Sequence, residues 1–169
     1  MDDIHEIARA LPGVKQGDGG PTVYQVSRRS FLFFRNPRPD AVDSDTGERY
    51  ADVIVFWVES ELEKEAILAD ESLPFFTTSH FDGHPSVLVR GSRIAELSRD
   101  ELTGFIERAW LSRAGPRAVA KWMKEHGTPA SRCASSIGSA ELIRERVGWR
   151  ARRDSNPRPA DPKSAALIH

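Results

Sequence analysis

The chain has 169 residues, 39% of them hydrophobic and 29% charged, with a formal net charge of −1, a size that fits one domain with a tail to spare. No run approaches the roughly 18 apolar residues of a membrane span, and Cys133 is the only cysteine, which excludes an intramolecular disulfide and a cysteine zinc cluster. Charge is unevenly placed: residues 1–110 hold 12 Lys+Arg against 20 Asp+Glu, while residues 111–169 hold 12 against 5. Nucleic-acid binding draws on neutralised phosphates, so an acidic body suits a duplex binder poorly unless its arginines gather on one face. Asp2 and Asp3 open an amphipathic pattern that is wrong for a secretory signal, which makes the cytoplasm the expected location.

Ile4, Ile7, Ala8 and Leu11 recur at helical spacing, and Pro12 and Gly13 end that helix. Residues 22–26 read as a strand and residues 31–34 as a second, joined by Ser27, Arg28, Arg29 and Ser30 into a hairpin without the Asn-Gly or Asp-Gly turn signal. Residues 36–51 are rich in Pro, Asp and Gly with no apolar period, and are expected to be disordered. Residues 52–58 (Asp-Val-Ile-Val-Phe-Trp-Val) are the clearest strand. Ser60 and Glu63 form a capping box for a helix with Leu62, Ala66 and Ala69 as its apolar stripe. Short extended segments at 75–78 and 86–90 flank a polar turn with His80 and His84. Ser98 and Glu101 cap a further helix that buries Leu102, Phe105, Ile106 and Ala109. Pro116 opens another, with Val119, Trp122 and Met123 in register.

This order predicts an α+β fold, an antiparallel sheet with helices packed on one face, over a single domain at residues 1–126. Within the 52–58 strand both faces are apolar: Val53, Val55 and Trp57 point one way, Ile54, Phe56 and Val58 the other. The second face therefore needs a cover. The C-terminal helix is the first expectation, a second subunit the next and a ligand the third. Residues 127–169 form an extension expected to be largely disordered from about 150, where Pro157, Pro159 and Pro162 exclude a stable helix. The string from Asp154 to Leu167 resembles a peptide that recurs when a transfer-RNA gene is translated in one frame.

Ala10-Leu-Pro-Gly closing the first helix, the Tyr24 strand with its aromatic hairpin, and residues 75–90 (Phe-Phe-Thr-Thr-Ser-His-Phe-Asp-Gly-His-Pro-Ser-Val-Leu-Val-Arg) together resemble the MmcQ/YjbR family across roughly residues 4–113. Ser79 and Ser86 stand where that family often has proline and a large aromatic. The resemblance implies a CyaY-like α+β architecture and a DNA-binding surface of double-wing type.

Under that expectation Arg28, Arg29 and Arg35 contact phosphates, while His80 and Arg90 buttress the surface. A hairpin bearing arginines positions a protein on a phosphate backbone without reading bases. Tyr24, Phe31, Phe33 and Phe34 sit at strand spacing without interleaved cations, which argues for core over base stacking. His80, Asp82 and His84 share one turn, but metal binding needs further ligands and ordered supporting partners. His80 is expected to hydrogen-bond its own loop, and Thr77, Thr78 and Ser79 to cap a turn. Nucleophile-elbow, phosphate-loop and dinucleotide motifs are absent. With no catalytic motif present, the resemblance implies a non-enzymatic, cofactor-free protein whose expected partner is DNA. A homodimer or protein-interaction module is the alternative and a small-ligand or metal-binding protein the third reading.

Overall fold

The structure, a computed structural model, describes residues 2–17, 20–43 and 45–127; the expectations for residues 128–169, including the transfer-RNA-like string, fall outside them. Helix α1 (Asp2–Ala10) buries Ile4, Ile7 and Ala8 and places Asp2 and Asp3 at its positive end. Gly13, at φ 68°, then turns the chain into β1 (Val14–Gln16). Sequence reading missed this strand, because a three-residue edge strand with two exposed side chains shows no alternation.

Strands β2 (Val23–Val26), β3 (Arg29–Arg35), β4 (Val53–Trp57), β5 (Phe75–Phe76) and β6 (Ser86–Arg90) complete an antiparallel sheet in the order β1-β2-β3-β4-β6-β5. Helix α2 (Glu61–Leu68) lies between β4 and β5, and α3 (Arg99–Arg113) and α4 (Pro116–His126) follow β6. Tyr24 pairs with Leu32 and Gln25 with Ser30, so Phe31 is an extra residue in β3. That bulge lets the consecutive Phe31 and Leu32 both enter the same core, each fully buried.

The main core lies between the helices and one sheet face. Ile4 and Ala8 of α1, Phe105, Ile106 and Trp110 of α3, and Trp122 of α4 meet Leu32, Ile54, Phe56, Val87 and Val89 there. Phe75 packs edge-on against both Phe105 (4.6 Å) and Phe56 (6.0 Å). Trp110, wholly buried, donates its indole N–H to the Pro12 carbonyl at 3.2 Å, which satisfies its only polar atom. This is the α+β architecture with helices on one face that the sequence predicts. Ser98 and Glu101 complete their capping box at α3. At α2 only half of the box forms: Ser60 accepts from the Glu63 N–H, while the Glu63 carboxylate reaches the Glu59 N–H, one residue further back.

Two expectations are corrected on the opposite sheet face. Residues 36–51, Ser44 apart, form a defined loop, and that loop covers this face. Ala41 and Tyr50 pack there with Phe81 against Val53, Val55 and Leu88. The loop, and not the α4 expected first, provides this cover; Trp122 of α4 belongs to the helix-side core. The loop holds its shape through local polar bonds that apolar periodicity cannot show. Val42 bridges Arg49, the Asp43 carboxylate accepts the N–H groups of Asp45 and Thr46, and Tyr50 N–H reaches the Ala41 carbonyl at 2.9 Å. Each fully buried aliphatic side chain so covered contributes about 1.5–3 kcal/mol.

The third correction concerns α2. Leu62, Ala66 and Ala69, the expected stripe, are exposed, and α2 buries Lys64 and Ile67 instead. The pattern misleads because a lysine, ordinarily a surface residue, occupies the inward position.

Candidate nucleic-acid interface

The four arginines singled out in the sequence fall into two groups at opposite ends of β3. Arg28 and Arg29 are exposed at the tip of the β2–β3 hairpin. Val26 pairs with Arg29, so Ser27 and Arg28 make a two-residue turn, with φ of 52° and 65°. Two consecutive positive φ values define the mirror-image turn that matches strand twist and that favours Asn-Gly. The hairpin thus forms without its usual residues.

Arg35 lies at the far end of β3, about 20 Å from the tip at strand rise. In the sheet it is beside Val53, whose other neighbour is Arg90. Both guanidinium groups hold the loop on the second face. Arg35, 9% exposed, makes a bidentate bond to Asp40 (2.9 and 2.7 Å), and its guanidinium lies 5.1 Å from the centre of the Phe81 ring. Thr78 donates its hydroxyl to the same carboxylate at 2.6 Å instead of capping the turn. These bonds, the Arg35 bond foremost, hold the Asp40 carboxyl well below the usual carboxylate range. Arg90 pairs with Asp52 at 3.4 Å and covers the Tyr50 ring at 4.1 Å.

His80 sits exposed in a short 3-10 turn (Ser79–Phe81), its ring edge-on to Phe81 at 5.1 Å. It does not bond its own loop as expected. The anchor is Lys64, 5% exposed, whose ammonium donates to the carbonyls of Phe81 (2.7 Å) and His84 (3.0 Å). Lysine seldom occupies such a position, and only the missing apolar partners on α2 could have hinted at it. Gly83 takes φ 73°, as its turn requires. Asp82 and His84 are exposed, and among the described residues no three His, Cys, Asp or Glu side chains are grouped to hold a metal.

At the hairpin tip, sequence reading missed a third cation. Arg113, the last residue of α3, donates its Nε to the Ser30 carbonyl (3.1 Å) and lies 3.6 Å from the centre of the Trp57 ring. Burial, and then the neighbouring positive charge of Arg29, lower its pKa. The junction into α4 touches the turn itself, since a Cβ on Gly115 would lie 3.8 Å from Ser27 Oγ. Several other cations of the domain face carboxylates: Arg93 meets Glu96, Arg99 meets Asp3 and Glu6, and Arg108 approaches Glu63. Among the described residues, Arg28, Arg29 and Arg113 have no such pairing. Tyr24 and Phe31 are fully buried, and Phe33 and Phe34 half-buried, so the hairpin aromatics serve the core.

The class so defined is an antiparallel α+β domain with an arginine-bearing hairpin at one end of its sheet and an internally covered second face. Over 130 residues, 75% of its length, the chain is 31% identical to uncharacterized protein Rv2570 of Mycobacterium tuberculosis and to uncharacterized protein Mb2600 of Mycobacterium bovis, spanning 97% of each. The chain belongs to the family of these mycobacterial proteins. No family model matches it, and no solved structure does. Among the described residues no helix is long and apolar enough to cross a membrane.

Proposed function

We propose that this protein is a non-enzymatic, cytoplasmic DNA-binding protein of MmcQ/YjbR type that grips the phosphate backbone with its hairpin tip. Arg28 and Arg29 make the contacts and Arg113 reinforces the local charge. One observation carries the reading: the turn holds an arginine at φ 65° where glycine is the unstrained choice. A left-handed non-glycine residue costs about 1 kcal/mol or more. Such local strain concentrates where a side chain serves something besides the fold. Here the strained residue presents an exposed, unpaired cation beside a second one. Arg35 and Arg90 act as loop anchors in this account, at the other end of β3.

Backbone contact of this kind predicts binding that is indifferent to sequence and sensitive to salt. The test is anisotropy of a fluorescein-labelled 20-base-pair duplex, titrated with wild type and Arg28→Ala/Arg29→Ala across a salt series. The double variant should bind all duplexes more weakly, with the slope of log K against log salt shallower by about 1.8, or 0.9 for each lost contact. An unaltered affinity and slope in that variant removes the proposal.

A further inference from the structure

We infer that the phosphate-contacting surface runs on from the hairpin along the exposed face of α4, through Arg117, Lys121 and Lys124. This rests on the reading just given and extends it to a second element. The three residues are spaced by four and then three positions, so they form one stripe on the helix. All three are exposed, and the stripe lies opposite Trp122, the residue that α4 buries in the helix-side core. Packing therefore fixes which way the cations face: away from the protein.

The stripe begins where the hairpin ends. Gly115 lies against Ser27, Arg113 is bonded to Ser30, and Arg117 follows within the first turn of α4. Along the axis, Lys121 rises about 6 Å beyond Arg117, and Lys124 about 4.5 Å further. One strand of a duplex offers a phosphate every 3.4 Å or so of its axis, which leaves each cation a phosphate within reach of its long side chain. Glu125 is the only acid of α4, and none of the ion pairs among the described residues involves it or Lys121. In a body where carboxylates outnumber cations, this helix face carries three exposed cations beside the Arg28, Arg29 and Arg113 of the hairpin end. Its pattern suits a regularly charged polymer, and we assign it to the backbone of duplex nucleic acid.

The experiment uses the full chain and the same labelled duplex in 50–200 mM sodium chloride, comparing wild type with Arg117→Gln/Lys121→Gln/Lys124→Gln. Glutamine preserves helix propensity, and an unchanged thermal melt verifies that the variant folds. The expected result is a slope shallower by about 2.7, or 0.9 for each of three contacts. A wild-type slope in this variant, with Arg28→Ala/Arg29→Ala still shallower, overturns the α4 inference and leaves the hairpin reading standing. Failure of wild type to bind the duplex at any salt overturns both. Loss of polyglutamate binding in the triple variant, with duplex binding intact, reassigns the stripe to an acidic protein and overturns the nucleic-acid assignment.

Discussion

Replacing Lys64 by methionine keeps the buried stem and removes only the ammonium, which isolates what that charge does for the histidine loop. The ammonium donates to the Phe81 and His84 carbonyls and lies 3.4 Å from a Glu61 carboxylate oxygen. Neither carbonyl is orphaned by the change, because Phe81 also accepts from the His84 N–H at 3.1 Å and His84 from the Ser86 N–H at 2.7 Å. The loss is therefore two charge-assisted bonds near the low end of their range, about 1.5 kcal/mol each. Added apolar contact by methionine offsets about 1 kcal/mol of this, which leaves a net destabilisation of about 2 kcal/mol. Urea unfolding should register that difference, with a Tm lower by about 6–10 °C for a domain of this size. Amide exchange should rise most at residues 79–85. A variant within about 0.5 kcal/mol of wild type, or more stable than it, would show that Lys64 does not anchor the loop.

Four other outcomes follow from the same geometry. The Asp40 pKa is depressed in the folded state, so its stabilisation is present above the ordinary carboxylate range and is lost as pH falls below about 4. The stability gap between wild type and Asp40→Asn in urea melts should shrink between pH 6 and pH 3. His5 bonds the Tyr24 hydroxyl at 2.7 Å and stacks on Phe34, and burial foremost lowers its pKa. Its contribution is complete above pH 6.5 and declines as pH falls through that value, so His5→Leu should flatten the stability curve as pH falls below 6.5. Arg28→Gly should raise stability by about 1 kcal/mol through relief of the positive φ while weakening duplex binding, measured by melting and anisotropy on one preparation. Ser98→Ala should cost about 1 kcal/mol in urea unfolding by removing the α3 cap.

The helix-side core was largely legible in the sequence, since α1 and α3 carry apolar residues at helical spacing and β4 is an uninterrupted apolar run. The second face was only half legible. The absence of polar alternation in β4 announced that a cover was needed, but the cover is made of polar turns around single apolar contacts, Ala41 and Tyr50, and these have no period to read. The same blindness hid Lys64, whose role depends on two backbone carbonyls more than a dozen residues away. At the candidate site, residue type identified Arg28 and Arg29, yet it grouped them with Arg35 and Arg90. Only the register of β3 with β4 and β6 shows that those two lie at the other end of the sheet beside Asp40 and Asp52. Arg113 and the start of α4 were brought to the hairpin by chain packing, which no local pattern encodes.

The account as a whole is tested most directly by mapping where a duplex touches the protein. Backbone and arginine side-chain NMR signals of labelled protein, followed as unlabelled 20-base-pair DNA is added at low salt, should shift at Ser27, Arg28, Arg29 and Arg113 and along α4 to Lys124. The signals of Arg35, Arg90 and His80 should stay in place. Shifts centred on Arg35, Arg90 and His80, with the hairpin tip silent, would contradict it.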